Sequence, residues 1–418
     1  MNDSRLEQAF VWAKDQYQGM GVDVEAALQS LSRVPLSIHC WQGDDVTGFE
    51  SNRATLAGSG LAVTGSYPGR ARNAAELRQD LDKALSLIPG RHRVNLHAMY
   101  GELGAKLVDR DAIGPEHFKG WLDWAREREL GLDFNATLFA HPKAQSGFTL
   151  SSTDESVRRF WVEHVRRSRE VSAFLGRELR SPCIHNLWIP DGAKDAVVDR
   201  WERRSLLRKS LDEVFATTHP VTEMKDSLES KLWGIGSEAF VVGSHEFYMG
   251  YALSRGLLLC LDLGHFHPTE SVADKVSAIL QFSGELLIHV SRGVRWDSDH
   301  VVVFDDALRE LMSEVVRADV LSRVHFALDY FDASVNRVAA WVIGARATLK
   351  ALLAALLEPN ARVRELDQTG RLALVEQAKT MPYGAVWDYY CVRAGVPLEQ
   401  DWMADVRRYE SEVLSGRS

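Results

Sequence analysis

The sequence predicts an α/β fold, a closed (β/α)8 TIM barrel with additional N- and C-terminal helices. The first observation is a set of short, nearly continuous apolar runs, such as LLLCLDLG and ELLIHV, which are typical of strands buried on both faces of a parallel sheet. The second is the regular alternation of these runs with longer helical patterns. Because eight such runs occur, we expect the sheet to close into a barrel.

The eight predicted strands occupy residues 35–40, 93–100, 130–136, 183–190, 227–234, 257–264, 285–291 and 324–330. Helical patterns lie between them, and Asn73, Asp154 and Ser271 stand where each can cap the free amides of a helix start. No Gly-, Ser- or Pro-rich linker divides the chain. We therefore predict a single barrel domain over 1–418, with an N-terminal helical segment at 1–34. A C-terminal helical extension, about 334–418, is predicted to serve in packing or oligomerisation.

Composition and charge exclude several classes of protein. The net charge of −9 and the lack of a long basic tract argue against a nucleic-acid partner held through its phosphates. The four cysteines are widely spaced, as expected for packed, reduced thiols. The first residues begin an amphipathic helix rather than a signal peptide, and no apolar run approaches the roughly 20 residues that span a bilayer. We therefore expect a soluble cytoplasmic protein.

Polar side chains stand at or near the carboxyl end of nearly every predicted strand. They are His39, His97, Asp133, Asn135, Asn186, Asp191, Glu229, Lys231, Asp262, His265, His289 and Asp329. In a parallel barrel these ends lie on one face, where barrel enzymes keep their chemistry. Burying unpaired charge costs on the order of several kcal/mol, which a divalent cation would offset.

The potential metal ligands fall into two groups: Glu229, Asp262, His289 and Asp329 from four successive strands, and His265, Asp297 and Asp299 from two adjoining loops. Mixed oxygen and nitrogen ligands without cysteine favour Mn, Mg, Co or Fe over structural zinc. Two neighbouring cations suit a substrate with vicinal oxygens, such as a sugar. Bland alternatives stay open: the WDSD segment can cap a helix, and His97 and Trp188 can serve only in hydrogen bonding and packing.

Motifs for other chemistries are missing from the sequence, which contains no GxSxG, GxxxxGK[ST] or HExxH string. The glycine-rich run at 57–69 lacks the strand-to-helix setting of a dinucleotide fold. We predict that it forms a loop over the barrel mouth and brings Phe49 or Tyr67 near a substrate.

Several strings together resemble the L-rhamnose isomerase family over nearly the whole chain. They include NLHAMYGE, LGLDFNAT, ESKLWGIG, CLDLGHFHPTE, HVSRGVRWDSDHVV and LDYFDASVNRVAAWVIGARATLKALL. Ala136 and Gly293 stand where proline is expected, and neither is a ligand. The resemblance implies a bacterial cytoplasmic homotetramer that interconverts L-rhamnose and L-rhamnulose in rhamnose catabolism. It also implies two Mn2+ ions per subunit, with Co2+, Zn2+ or Mg2+ as substitutes.

The resemblance also implies roles for individual residues. The strand-borne ligands would hold a substrate-positioning metal and the loop-borne ligands a catalytic metal, with Glu229 as a candidate bridge between them. Asp329, Lys231 and His265 are the predicted catalytic residues. His97 and Trp188 are the predicted substrate-binding residues.

Two chemical routes fit this site. After ring opening, a hydride can shift directly between C1 and C2 while cations polarise O1 and O2, or a base can abstract the C2 proton through an enediol. The excess of ligands over free bases favours the hydride shift. Three other functions stay open: a different aldose isomerase of the same barrel type, a metal-dependent phosphoesterase or amidohydrolase, and a non-catalytic sugar-binding protein.

Overall fold

The computed structural model describes residues 3–50, 63–104, 108–195, 197–231, 239–294 and 297–417, without the side chains of residues 3 and 297–299. Eight parallel strands form a closed barrel, as predicted. These strands are β1 (Leu36–His39), β2 (Arg93–His97), β3 (Gly131–Asn135), β4 (Cys183–Trp188), β5 (Met224–Glu229), β6 (Leu258–Asp262), β7 (Leu286–Val290) and β8 (Val324–Leu328). Each strand pairs with the next in the chain, and β8 closes on β1 where Phe326 lies opposite Leu36.

The fifth strand departs most from its prediction. It begins at Met224 rather than at 227 and ends at Glu229, so Ser230 and Lys231 follow it, and the last predicted positions, 232–234, fall outside the described residues. Its early part was missed because Lys225 and Asp226 break the apolar run. Both Asp226 oxygens accept hydrogen bonds from Arg169, at 2.9 and 2.8 Å, so the charge is paired inside the fold.

Helices surround the barrel and extend it at both ends. Within the described residues there are fourteen: α1 (Asp3–Gly19), α2 (Val24–Ser32), α3 (Ala74–Leu85), α4 (Lys119–Glu127), α5 (Glu155–Leu179), α6 (Arg200–Val214), α7 (His245–Arg255), α8 (Ala273–Ile279), α9 (Asp306–Arg317), α10 (Arg337–Leu356), α11 (Asn360–Glu365), α12 (Gln368–Ala378), α13 (Tyr383–Arg393) and α14 (Trp402–Glu412). Asn73 and Asp154 cap α3 and α5 as predicted. Ser271 lies one residue before the N-cap of α8, and its Oγ accepts a hydrogen bond from the amide of Asp274 at 3.4 Å, as predicted for a residue at a helix start. Two short antiparallel ribbons lie outside the barrel, Gly192–Ala193 with Phe240–Val241 and Arg292–Val294 with Asp297–His300.

Helix α10 packs on the barrel's own elements. The indole N–H of Trp341 donates to the His39 carbonyl at 2.8 Å, and the Tyr330 hydroxyl donates to the Ala340 carbonyl at 2.8 Å. Among the described residues, α10 is the one helix long and apolar enough to cross a membrane by length and composition. The expectation that no apolar run approaches 20 residues is therefore wrong for α10. Because 83% of its 18-residue apolar stretch is buried inside the protein, α10 is buried in the manner of a core helix.

The four cysteines, Cys40, Cys183, Cys260 and Cys391, are free and buried, which agrees with the prediction of packed, reduced thiols.

Candidate metal centre and active site

Four of the predicted ligands converge at the carboxyl ends of β5 to β8. Glu229 ends β5, Asp262 ends β6, His289 lies in β7 opposite Asp262, and Asp329 directly follows β8. One ligand atom from each of the four lies within 4.8 Å of those of the others. The side chains of Glu229, Asp262 and His289 are at most 2% exposed, and that of Asp329 is 18% exposed. The strand-borne group of the sequence prediction is therefore assembled in one place.

Three carboxylates surround a single imidazole in this cluster. The Nδ1 atom of His289 lies 3.3 Å from Glu229 Oε1, 3.7 Å from Asp262 Oδ2 and 3.1 Å from Asp329 Oδ2. Burial raises the pKa of Asp262 to about 6. Burial also opposes charge on Asp329 and His289, but their mutual attraction lowers the pKa of Asp329 to about 2, and acidic neighbours raise that of His289 well above its usual value. The cluster is therefore short of positive charge.

Each carboxylate has one oxygen fixed by a protein donor. Asn186 Nδ2 donates to Glu229 Oε2 at 2.6 Å, Ser291 Oγ donates to Asp262 Oδ1 at 2.5 Å, and Trp41 Nε1 donates to Asp329 Oδ1 at 3.0 Å. Such outer contacts orient the carboxylates of metal sites.

The atoms that face inward lack hydrogen bonds. Glu229 Oε1, Asp262 Oδ2 and both ring nitrogens of His289 are buried, and none has a hydrogen-bond partner among the described residues. Leaving such groups unsatisfied is costly unless a ligand compensates for them. The donor set therefore fits a divalent cation with oxygen and nitrogen ligands.

His265 stands beside this cluster on the loop after β6. Its Nδ1 atom donates to the carbonyl of Ser230 at 2.9 Å and lies 3.3 Å from Glu229 Oε1. Donation from Nδ1 fixes the tautomer in which Nε2 carries the lone pair, as in many histidine ligands. The other two loop-borne candidates, Asp297 and Asp299, have their backbone in the ribbon after β7, and their side chains lie outside the described part of the chain.

A pocket opens above the cluster, with an empty volume of about 450 Å³ that includes its opening to solvent. Its described lining consists of Trp41, Val46, His97, Asn135, Phe139, Trp188, Glu229, His265, Asp329 and Phe331. Ligand candidates form one side, whereas the remaining lining is largely aromatic. A pocket with a few polar groups among aromatic walls suits a small polar molecule that also presents apolar faces.

The two predicted substrate-binding residues, His97 and Trp188, both line this pocket. His97 packs edge-on against Trp41, with ring centroids 4.8 Å apart, and its Nδ1 atom lies 3.1 Å from Thr137 Oγ1. Burial lowers the pKa of His97 to about 3, so its ring is neutral near pH 7. The ammonium of Lys231 lies 5.0 Å from the ring centroid of Trp188, which places it near the pocket wall.

Three other polar strand residues do not join the site. Asp133 lies deeper in the barrel and pairs with Arg93, at 2.8 and 2.9 Å. Asp191 accepts four hydrogen bonds from the backbone and hydroxyls of Thr149 and Ser151. His39 is fully buried, and burial lowers its pKa to about 4. The prediction that every polar strand end lies at the mouth is wrong for Asp133, which stands in the middle of β3 and pairs with Arg93. His39 ends β1 and Asp191 follows β4, so both stand at carboxyl ends of strands, but both are buried in the fold.

The described end of the glycine-rich run lies against the segment after β8. Tyr67 N donates to the Ala333 carbonyl at 2.7 Å, and its hydroxyl donates to Glu410 Oε1 at 2.5 Å. Tyr67 therefore turns to α14 rather than to the pocket, contrary to the prediction. Phe49 packs edge-on against Tyr100, and residues 57–62 of the predicted mouth loop lie outside the described residues.

Sequence reasoning missed some contributors to the pocket. Val46 lines it with φ of 55°, a left-handed conformation that β-branched residues rarely adopt. No local sequence pattern predicts this conformation. Phe139 and Phe331 also line it, although aromatic residues in loops give no specific signal. Ser291 was read only as the end of a strand, and its contact with Asp262 arises because β6 and β7 are neighbours.

Comparisons with known proteins agree with this geometry. The family model described as "L-rhamnose isomerase (RhaA)" matches residues 4–417. The L-rhamnose isomerase of Rhodopirellula baltica is 57% identical over 417 residues, which cover 99% of this chain and 97% of the relative. That of Escherichia coli K12 is 54% identical over 418 residues, covering 99% of both. A solved L-ribulose 3-epimerase aligns over 79% of this chain and 97% of its own with 14% identity and a TM-score of 0.45, too distant to support an argument. With a family match that spans the barrel, the metal-ligand cluster and both terminal extensions, the chain belongs to the L-rhamnose isomerase family.

Proposed function

We propose that this protein is a metal-dependent aldose–ketose isomerase that interconverts L-rhamnose and L-rhamnulose. Membership of the family supports the substrate, since the curated relatives bear that name over their full length. The observation that carries the metal dependence is the cluster of Glu229, Asp262, His289 and Asp329, whose inward atoms are buried without protein partners among the described residues.

The strand-borne cluster would hold one cation, and His265 with Asp297 and Asp299 would hold a second. Mn2+ suits such a mixture of carboxylates and imidazoles, and Co2+, Zn2+ or Mg2+ are the proposed substitutes. When bound, the cations would polarise a sugar carbonyl and lower the pKa of its neighbouring hydroxyl.

The surrounding side chains would bind the open sugar and manage its protons. Asp329 lines the pocket, and its lowered pKa of about 2 keeps it ionised near neutral pH, so it can accept a hydrogen bond from a substrate hydroxyl and orient the proton that moves between the neighbouring oxygens. Lys231 beside Trp188 can donate to a substrate oxygen. The indole N–H of Trp188 is buried without a partner among the described residues and can donate to a sugar hydroxyl.

A direct shift of hydrogen between C1 and C2 is the route we favour. Among the described residues that line the pocket, the ionisable side chains are Glu229, His265, Asp329 and His97. The first three are proposed ligands, and the fourth is a neutral ring with a pKa of about 3 that lies within hydrogen-bond distance of Thr137. None of them is a well-suited base for a carbon acid, which supports the hydride shift over the enediol route.

A ketose assay on L-rhamnose tests the proposal. Protein treated with EDTA should form no ketose, and added Mn2+ should restore ketose formation. L-Mannose, L-lyxose and D-xylose, assayed in parallel, separate this activity from that of another aldose isomerase. Activity that survives complete metal removal would overturn the metal dependence, and restored turnover of only a different sugar would overturn the substrate.

The domain organisation and assembly are also proposals. We propose one domain over 1–418, working in the cytoplasm as a homotetramer to which the extension from about 334 contributes contacts. Exposed apolar residues on the first helix, Val11 and Trp12, each more than half exposed, support an interface there. Light scattering on the purified protein, with Trp12→Ser as the variant, measures the assembly.

A further inference from the structure

The thiol of Cys260 lies beneath the cluster of Glu229, Asp262, His289 and Asp329, which we call the carboxylate position. We propose that Cys260, Glu229 and His289 form a second, deeper position that captures a thiophilic cation such as Cd2+. This position would overlap the carboxylate position and exclude its occupation, because both use Glu229 and His289. Cys260 would thereby help to determine which cations the centre accepts.

Strand register places the thiol under the cluster. Cys260 lies directly opposite Glu229 in the pairing of β5 with β6, and it precedes Asp262 by two residues, so both side chains point to the same face of β6. The Cys260 sulfur, a Glu229 oxygen and a His289 nitrogen all lie within 4.8 Å of one another. These three atoms can therefore reach a single ion with small adjustments of their side chains.

The partners of the thiol are themselves unsatisfied. Glu229 Oε1 and both nitrogens of His289 have no hydrogen-bond partner among the described residues, although both side chains are at most 2% exposed. Cys260 is fully buried and packs in an apolar cluster inside the barrel with Ile184, Leu258, Leu287 and Ala327. The side chains of these four neighbours offer the sulfur no polar atom, whereas the cluster above offers an oxygen and a nitrogen.

Ligand chemistry separates the two positions. A hard cation such as Mn2+ prefers the carboxylates of Asp262 and Asp329, whereas a soft cation prefers a thiolate with an imidazole. When a soft cation binds, the bond from sulfur to metal forms as the thiol proton leaves to solvent, so no oxidant or reductant is needed. The centre would therefore hold Mn2+ through oxygen and Cd2+ through sulfur.

The test uses the full-length protein, made metal-free and titrated with Cd2+ in the absence of sugar. We expect the ultraviolet charge-transfer band of a cadmium thiolate, with an amplitude at saturation that corresponds to one thiolate-bound ion per chain. Cys260→Ser should abolish the band and weaken Cd2+ binding, measured by calorimetry, by at least about tenfold, the change that 1.4 kcal/mol produces. The same variant should still bind Mn2+, read from the loss of the free-ion electron paramagnetic resonance signal.

Cys183→Ser is the matched control, since Cys183 is equally buried at the start of β4 and lies outside the cluster. It should keep the band and the Mn2+ affinity. Cys260→Ala serves if the serine variant does not fold, as judged by circular dichroism. Cd2+ binding to the unaltered protein without the band, or a band that persists without Cys260, would overturn the proposal. Because the titration contains no sugar, its result does not depend on whether the proposed isomerase activity is found.

Discussion

The two ends of the barrel use the same residue types in opposite ways. At the mouth, Glu229, Asp262 and Asp329 crowd around His289, and several inward atoms have no partner among the described residues. Deeper in the barrel, Asp133 accepts from Arg93, Ser37 and the amide of Ile184, so both of its oxygens are satisfied.

The difference shows how a structural charge differs from a functional one. A buried carboxylate that the chain pairs with its own arginine holds strands together, and removing either partner is costly. A buried cluster with more negative groups than the chain compensates marks the place for a cation from outside. Burial alone does not distinguish the two cases, because Asp133 and Asp262 are both buried.

The largest expected effect is on catalysis at the mouth. Glu229→Gln should lower Mn2+-dependent turnover of L-rhamnose by more than about a thousandfold, or about 4 kcal/mol, because this carboxylate belongs to every proposed ligand set near it. Steady-state kinetics on the folded variant measure the loss. Glu285→Gln is the control: this carboxylate pairs with Lys225 and His325 at the start of β7, far from the cluster along the strand, and its loss should leave turnover nearly unchanged. Retained turnover in Glu229→Gln would contradict the functional role assigned to the uncompensated carboxylates at the mouth.

The second largest expected effect is on stability. Here the larger loss is expected deep in the barrel rather than at the mouth. Asp133→Ala should lower the free energy of unfolding by about 3–5 kcal/mol, since it leaves the buried guanidinium of Arg93 without its carboxylate. In metal-free protein, Asp262→Asn should cost less than about 1 kcal/mol, because the amide oxygen can keep the Ser291 contact while one negative charge is removed. Urea unfolding in EDTA measures both. Equal losses at the two sites would contradict the distinction.

A smaller effect is expected where a neutral donor orients a ligand. Asn186→Ala removes the hydrogen bond to Glu229 Oε2 and should weaken Mn2+ binding by about 10–100-fold, the usual effect of losing such a contact. Ser172→Ala is the control, because this buried hydroxyl donates to the carbonyl of Ser168 in α5 and lies outside the ligand cluster. Mn2+ titration followed by paramagnetic resonance compares them, and equal affinities would show that Asn186 does not position Glu229.

The smallest effect is a pH dependence confined to metal-free protein. Burial raises the folded-state pKa of Asp262 to about 6, so stability should fall by about 1 kcal/mol between about pH 5 and 7 as this group ionises. The raised pKa of His289 acts in the same direction, since its stabilising proton is lost as pH rises through that pKa. Asp329 has a lowered folded-state pKa, so its ionised form stabilises the fold throughout this pH range, and that stabilisation is lost only as the pH falls into the acid range. Urea unfolding across this range with EDTA, repeated with Mn2+, should show that the cation removes the decline; a decline that persists with Mn2+ would place its origin elsewhere.

Much of the fold was predictable because strands of a closed parallel barrel are marked by local patterns. All eight strands overlap their predicted ranges, the fifth only at 227–229, and they close into the predicted barrel. The start of β5 escaped because Lys225 and Asp226 look like surface residues, and only α5 supplies Arg169 to Asp226. Similarly, no local pattern predicts a left-handed Val46 in the pocket wall.

The sequence by itself determined the barrel, the face on which polar strand ends gather, and, through its family motifs, the strand-borne set of candidate ligands. Tertiary structure alone decided which of those polar groups are compensated. Asp133 and Asp262 are each a single carboxylate in an apolar strand, the first in the middle and the second at the end, and neither strand shows whether its carboxylate is compensated. Arg93 from β2 neutralises the first, whereas the second meets Glu229 and Asp329 around His289, so their roles diverge because the partners come from distant parts of the chain.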